Sequence, residues 1–192
     1  MVILIQRMTS YGKMIGLMLM KMAQYIASKN IQWPLWLVCL GVTWFGPTRP
    51  FFQRGERLNG RTYQGRLLPF YEGEGNVLLG HKNWDLQQDE ASSHTEAMAQ
   101  QWCKNHFKFF IRKERWPPKS PELNPLDYSI WDRIANRMDY GKIQTADDLR
   151  REIRKSIKKL GINYIPDTIN VFLCRVRSVE KNNGELIFDE HS

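Results

Sequence analysis

Hydrophobic positions in the first half of the chain predict strands. Residues 35–45 (LWLVCLGVTWF) are a nearly continuous apolar run rich in β-forming residues, which is typical of a strand buried on both faces. A Gly-Pro pair marks a turn after this run, and residues 49–53 can return as its hairpin partner. Two shorter segments, 84–88 and 107–111, also have the composition of strands.

Helical periodicity appears between these strands and dominates the end of the chain. Asn59 is predicted to cap a helix that reaches about Tyr71, and residues 72–76 (EGEGN) are predicted to form a loop. A final helix is predicted over residues 165–181. Strands followed by helices interleaved with strands predict an α/β fold, in which helices cover a mixed sheet.

The helix before the last one separates its apolar and basic residues most clearly. Thr145 with Asp148 forms a capping-box pattern that predicts its start. One side carries Leu149, Ile153, Ile157 and Leu160. The other side carries Arg150, Arg151, Arg154, Lys155, Lys158 and Lys159. An apolar stripe of this kind is usually core and a charged face is usually solvated, but a basic face also suits DNA, because each neutralised phosphate releases counterions.

Composition narrows the class of protein without selecting one. A chain of 192 residues has the length of one domain and can bury a proper core. Its net charge of +8 favours a polyanionic partner, although ribosomal, membrane-surface and simply soluble basic proteins share this property. Cys39, Cys103 and Cys174 are odd in number and widely separated, which indicates reduced thiols of an intracellular protein and neither a disulfide framework nor a zinc site.

Asp89 is predicted at the end of a strand, and Asp127 is predicted at the start of a helix. Asp89 closes the strand predicted over 84–88, just before a helix that Ser93 and Glu96 predict as a capping box over residues 94–106. A carboxylate at this place projects from the edge of a sheet, where ligands usually bind.

Asp127 follows Asn124 and Pro125, a good N-cap and a good first helical residue. It shares the arc of an apolar stripe formed by Leu126, Ile130, Ile134 and Met138. Asp127 is therefore predicted in the first turn of a helix, either as a helix-capping acid or as a carboxylate that binds something.

The blocks QQDEASSH and WPPKSPELNPLDYSIWD resemble the catalytic core of the mariner-type DDE/D transposases. The resemblance runs from about Leu35 to the C-terminus. In that family, which has a ribonuclease-H-like fold, three acids bind divalent metal. Asp89 matches the second acid, in the Asp-x-Ala-x-x-His block, and Asp127 matches the third, in the Ser-Pro-x-Leu-x-Pro-x-Asp/Glu block. The 37 residues between them fall within the family's range.

This resemblance implies a function and a set of partners. It implies Mg²⁺ or Mn²⁺ at Asp89 and Asp127, phosphodiester cleavage and strand transfer on DNA, a nuclear location, and a homodimer or pairing with a full-length transposase. His94 matches the histidine of the family block, where it can orient a phosphate or support Asp89, although a lone histidine near a helix start is more often structural. The family motif places neither Glu90 nor Glu122 among the metal ligands. No membrane segment is expected, because the apolar run 14–20 is too short to span a bilayer.

The sequence departs from the family pattern at its beginning. The resemblance implies a first catalytic Asp on an opening strand upstream of Leu35, but the first acid of the chain is Glu56, which follows that strand. Nor does any segment resemble the family's N-terminal helix-turn-helix region. Residues 1–31 contain basic and apolar residues and no acid, which predicts an amphipathic or poorly ordered leader, with a targeting segment as the alternative. Residues 32–192 are the predicted catalytic domain, and the missing acid predicts impaired catalysis or a relic that binds nucleic acid or another transposase without cutting.

Overall fold

Six strands form one mixed sheet in the described part of a computed structural model, which comprises residues 2–8, 36–54, 59–80, 84–117 and 120–182. The strands are β1 (Val2–Met8), β2 (Trp36–Thr43), β3 (Gly46–Pro47), β4 (Phe51–Arg54), β5 (Asp85–Gln88) and β6 (Phe109–Phe110). The order across the sheet is β3-β2-β1-β5-β6. Strand β4 also pairs with β2, along residues 36–39, whereas β3 pairs with residues 42 and 43.

The central strand is β1. It runs antiparallel to β2 and parallel to β5, so Ile5 pairs with Gly41 on one side and with Gln88 on the other. Val2–Met8, which falls within the leader predicted over residues 1–31, is a run of mostly β-branched and aliphatic residues and adds a strand to the sheet. Residues 9–35 lie outside the described residues, and the predicted domain boundary at residue 32 stays a prediction.

The strand predicted over 35–45 is confirmed as β2, and it is buried on both faces. Val38, Leu40 and Val42 are fully buried in a core that also holds the C-terminal helices. Cys39 is fully buried in a second core on the other side of the sheet. Because neighbouring side chains of a strand point to opposite faces, a strand between two cores must be apolar at nearly every position.

Helices cover both faces of the sheet. The helical segment α1 runs without a break through Gly60–Thr62, a π-helical turn Tyr63–Leu67 and Leu68–Leu79. The remaining helices are α2 (Ser92–Thr95), α3 (Ala97–His106), α4 (a π-helical turn Leu126–Ile130 continued by Trp131–Arg137), α5 (Ala146–Lys158) and α6 (Tyr164–Lys181). The predicted α/β class, a mixed sheet flanked by helices with further helices at the C-terminal end, is confirmed.

Two local predictions are wrong because distant partners decide the structure. The segment 72–76 is helical and not a loop, and its Glu74 is held by Arg49 through hydrogen bonds of 2.7 Å to the backbone N–H and 2.8 Å to Nε. Ser93 does not cap a helix over 94–106; it lies within α2. Glu96 separates α2 from α3, and its carboxylate accepts from the N–H of Gly60 at 2.9 Å.

The capping box at Thr145 is confirmed in both directions. The N–H of Asp148 donates to Oγ1 of Thr145 at 3.2 Å, and the N–H of Thr145 donates to Oδ2 of Asp148 at 2.8 Å. Leu149, Ile153 and Ile157 are buried in the core, as their spacing predicts. Among the described helices, none has the combination of length and apolar character needed to cross a bilayer.

Candidate active site

A cleft of about 210 Å³ opens where β5 ends and α4 begins. Its lining includes Asp89, Glu90, Trp116, Ser120, Asn124 and Asp127. The two acids singled out from the sequence, which are 37 residues apart in the chain, therefore face one small space. Two carboxylates in one cleft repel each other, and a cation between them relieves that repulsion.

Asp89 is positioned by two donors to the same carboxylate oxygen. Its Oδ1 accepts from the N–H of Ala91 at 3.0 Å and lies 2.6 Å from Nδ1 of His94. The first contact is the turn that an Asp makes with the backbone two residues on, and it follows from the end of β5. Because a carboxylate only accepts, the imidazole donates through Nδ1. These contacts fix the orientation of the Asp89 carboxylate.

His94 is fully buried, so its ring contacts other protein groups and not solvent. Its ring lies 4.3 Å from the ring of Tyr63, centroid to centroid. The Tyr63 hydroxyl donates to Oε1 of Gln88 at 2.6 Å, and the amide of Gln88 donates to the carbonyl of His94 at 3.3 Å. Burial raises the pKa of Tyr63 well above its ordinary value, so Tyr63 keeps its donor hydrogen. The network links β5, α1 and α2 behind Asp89.

Asp127 lies in the first turn of α4, as the sequence predicts. The side chain of Asn124 accepts from the N–H of Leu126 at 3.2 Å, and its carbonyl accepts from the N–H of Asp127 at 2.9 Å. Leu126, Ile130 and Ile134 are fully buried, which confirms the predicted stripe. The first turn of α4 is π-helical, a widened geometry that occurs often at functional sites. Asp127 stands half-buried at a helix N-terminus, where the helix dipole favours negative charge.

The last helix holds this region in place. Tyr128, next to Asp127, donates its hydroxyl hydrogen to the carbonyl of Thr168 at 2.6 Å. The guanidinium of Arg175 lies 3.9 Å from the centroid of the Tyr128 ring and donates to the carbonyl of Glu122 at 2.7 Å. Helix α6 therefore fixes both the loop before Asp127 and the residue after it.

No acid stands beside Asp89 on the central strand. Strand β1 reads VILIQRM, and its pairing with β5 ends at Ile5 opposite Gln88. One further step along this register brings Gln6 level with Asp89. Glu56, the first acid of the chain, lies outside the described residues. Within the described residues, no group of three or more His, Cys, Asp or Glu side chains is arranged to hold a metal ion.

One acid that lines the cleft was not predicted from the sequence. The family motif leaves Glu90 outside the metal site, but Glu90 lines the cleft with Asp89 and Asp127. Its position next to Asp89, at the point where a strand leaves the sheet, is the signal that could have included it. Glu122 does not line the cleft in the described structure.

The predicted basic face is also brought together. Arg150, Arg151, Arg154, Lys155, Lys158 and Lys159 line an open groove with Asp147, which we call the α5 groove. Three of the six are paired within the helix: Arg150 with Asp147 at 2.8 Å, Arg151 with Asp148, and Lys155 with Glu152 at 3.1 Å. The guanidinium of Arg154 lies over the Phe52 ring, 5.1 Å from its centroid. Six basic residues against three acids leave this face with a net positive charge.

Solved structures share this fold although the sequences have diverged. No protein-family model matches the chain, and no curated protein matches it. The catalytic domain of the Mos1 mariner transposase matches with a TM-score of 0.72 at 11% identity, over 97% of this chain and 84% of that one.

Two further structures of the same transposase show what it binds. The Mos1 catalytic domain with raltegravir and manganese matches with a TM-score of 0.67 at 12% identity, over 94% of this chain and 100% of that one. The Mos1 paired-end complex with the left transposon end matches with a TM-score of 0.73 at 12% identity, over 97% of this chain and 56% of that one. The chain thus spans little more than half of the transposase in that complex. At these identities the comparison establishes the fold: the chain has the ribonuclease-H-like fold of the mariner transposase catalytic domain.

Proposed function

We propose that this chain is a transposase-derived DNA-binding domain of the DDE/D type whose phosphodiester chemistry is impaired. The observation that carries the proposal is the cleft shared by Asp89 and Asp127, beside a central strand that contains no acid. The likeness to the Mos1 catalytic domain supports the same ancestry.

The cleft fits a divalent cation in a limited way. Two carboxylates are a suitable donor set for Mg²⁺ or Mn²⁺, since such ions are commonly held by one or two carboxylates, with waters and substrate phosphates completing the shell. When bound, the ion supplies Lewis-acid activation of the attacking hydroxyl and stabilisation of the leaving oxygen. Asp89 and Asp127 would hold it, and a second ion would lack the ligand that the family provides from its first strand.

The residues of the cleft have separate tasks in this proposal. Asp89 offers its carboxylate to the cation in an orientation that is fixed by Ala91 and His94. Asp127 offers its carboxylate from the α4 N-terminus, held by Asn124 on one side and by Tyr128 and Arg175 on the other. Asp89 and Asp127 are positioned in the cleft, and β1 supplies no third acid among the described residues. We therefore expect metal binding to be retained and cleavage to be slowed by orders of magnitude.

DNA is the proposed partner. The net charge of +8 and the cations of the α5 groove support it, because basic side chains that neutralise DNA phosphates release the counterions condensed on the DNA. The proposal includes the expected nuclear location and the expected homodimer or pairing with a full-length transposase. Light scattering of the purified chain, alone and mixed with such a transposase, tests the pairing.

Plasmid nicking tests the function. Purified chain is incubated with supercoiled plasmid and Mn²⁺ beside the Asp89→Ala, Asp127→Ala double variant, and DNA retention is measured at several salt concentrations. We expect salt-dependent retention by both proteins and no nicking above the level of the double variant. Rapid nicking that the double variant loses would contradict impairment and would mean that another group replaces the missing acid. Absence of retention at low salt would contradict DNA binding.

A further inference from the structure

A second groove lies between the outer edge of the sheet and α5. It has a volume of about 540 Å³, which is within the roughly 300–1,000 Å³ of pockets that hold small ligands. Its lining comprises Pro47, Thr48, Arg49, Pro50, Phe70 and Ile157, together with Arg154 and Lys158 of the α5 groove. We call it the edge groove. The two grooves adjoin at Arg154 and Lys158, which line both of them, and we call the two together the channel.

This channel is separate from the acid cleft. No residue lines both. Strand β4 is separated from β5 by β2 and β1, so three strand spacings, about 14 Å in all, lie between the edge and the strand that carries Asp89. A ligand in the channel therefore makes contacts that the cleft does not.

Residues 47–50 offer no backbone donor to a strand from a partner protein. Pro47 and Pro50 have no N–H to donate. The N–H of Thr48 donates to the carbonyl of Gly41 at 2.9 Å, and the N–H of Arg49 donates to Glu74 at 2.7 Å. Four consecutive residues thus offer no donor to an extended peptide, which removes the usual way in which a sheet edge binds one.

Aromatic rings and cations alternate along the same edge. The guanidinium of Arg49 lies 5.7 Å from the centroid of the Phe70 ring, and that of Arg66 lies 5.7 Å from the centroid of Phe51. Phe51 and Phe70 contact each other edge to face at 5.5 Å. Lys158 and Lys159 have no ion pair with any described carboxylate, so their charges are available to a ligand. Arg49 is itself paired with Glu74, whereas Lys158, which lines the edge groove with Phe70, is not. An aromatic ring that shares a groove with such a cation is the combination that binds unpaired nucleic-acid strands.

We propose that the channel binds a single nucleic-acid strand, with a base against Phe70 in the edge groove and phosphates on Arg154, Lys158 and Lys159. This inference rests on the proposed DNA binding and specifies an unpaired strand as the ligand of this surface. A base stacks on an aromatic face regardless of its identity, so binding does not depend on sequence.

Binding measurements in EDTA test this inference, because EDTA removes the divalent ions that the acid cleft would need to bind DNA. Fluorescence anisotropy measures a short labelled oligothymidylate and a duplex of equal length against the full chain and its variants. Phe70→Leu keeps an apolar side chain and removes the ring; we expect about tenfold weaker single-strand binding and an unchanged duplex affinity. Arg154→Gln with Lys158→Gln should lower the slope of log affinity against log salt for the single strand by about 1.4.

Matched variants separate this surface from general charge and from folding. Arg177→Gln with Lys181→Gln removes the same two types of charge from the exposed end of α6 and should leave the slope unchanged. Equal melting temperatures show that Phe70→Leu is folded. Equal single-strand binding by Phe70→Leu and the wild type, or an equal effect of the α6 variant, overturns the inference. So does binding of poly-glutamate with the same dependence on Phe70. If neither the single strand nor the duplex binds, the proposed DNA binding fails together with this inference. If only the duplex binds, this inference alone fails.

Discussion

His94 and Asp89 are joined by a short contact, with Nδ1 of the imidazole 2.6 Å from Oδ1 of the carboxylate. The histidine is fully buried, whereas the Asp89 side chain is 22% exposed and lines the cleft. The pair thus connects an interior network to a surface carboxylate. Outer contacts of this kind fix the orientation of a metal-binding side chain and affect affinity without touching the ion.

Replacement of His94 should therefore weaken metal binding. His94→Phe keeps a ring beside Tyr63 and removes the donor to Asp89, and we expect Mn²⁺ affinity to fall about tenfold or more. His94→Asn retains a donor and should recover part of the loss. Calorimetric titration with Mn²⁺ measures both, and a His94→Phe variant that is folded and binds Mn²⁺ like the wild type would show that the contact is only structural.

An acid at position 6 should restore chemistry. Gln6 is level with Asp89 when the pairing of β1 with β5 is continued by one residue, so Gln6→Asp supplies a carboxylate where the strand has none. We expect Mn²⁺-dependent plasmid nicking to rise about tenfold or more above the wild type. Gln6→Asn, of the same size and without charge, is the matched control. Nicking by Gln6→Asp that persists after Asp127→Asn would show that the new activity does not use the cleft.

The capping box of α5 should make stability depend on pH in acid. The hydrogen bond from Thr145, followed by that from Arg151, lowers the pKa of Asp148 from 3.8 to about 2. A carboxyl group with a lowered pKa in the folded state stabilises it above the unfolded pKa and loses this contribution as pH falls through the folded value. The contribution is therefore complete above about pH 4 and is lost toward pH 2. Melting temperatures of the wild type and Asp148→Asn should converge over this interval; a constant difference would contradict the assignment.

The three cysteines should differ sharply in reactivity. Cys174 is exposed, whereas Cys39 and Cys103 are buried. Burial raises the pKa of Cys103 to about 12, so its reactive thiolate is scarce near neutral pH. We expect iodoacetamide to modify one thiol rapidly in the folded chain, and Cys174→Ser to abolish that phase. Modification of Cys103 at the rate of Cys174 would indicate that the core around α3 opens.

Local signals in the sequence predicted those elements whose stabilising contacts are themselves local. The capping box at Thr145 and the stripe from Leu126 to Ile134 are confirmed because both depend on neighbours within one or two helical turns. The strand at 36–43 is confirmed because burial on both faces leaves an unmistakable apolar run. The fold class followed from these elements and their order.

Contacts between distant segments account for the errors. Residues 72–76 are helical, and their Glu74 is bonded to Arg49, which is 25 residues away. Glu96 does not take part in a capping box, because its carboxylate accepts from the N–H of Gly60, which is 36 residues away. Strand β1 has no partner near it in sequence, since it pairs with residues 38–42 and 85–88. Asp89 and Asp127 could be selected from the sequence, but the Tyr63, Gln88 and Arg175 contacts that surround them could not, because each joins separate elements.

Mn²⁺ binding followed by electron paramagnetic resonance tests whether Asp89 and Asp127 share one metal ion. The wild type, Asp89→Asn and Asp127→Asn are compared with Asp132→Asn, which removes an exposed acid from the same helix as Asp127. If Asp89 and Asp127 share one cation, the wild type binds a single weak ion, each of the two variants loses about tenfold or more in affinity, and Asp132→Asn binds normally. Unchanged binding in both Asp89→Asn and Asp127→Asn would contradict a common metal site and, with it, the proposed origin of the cleft.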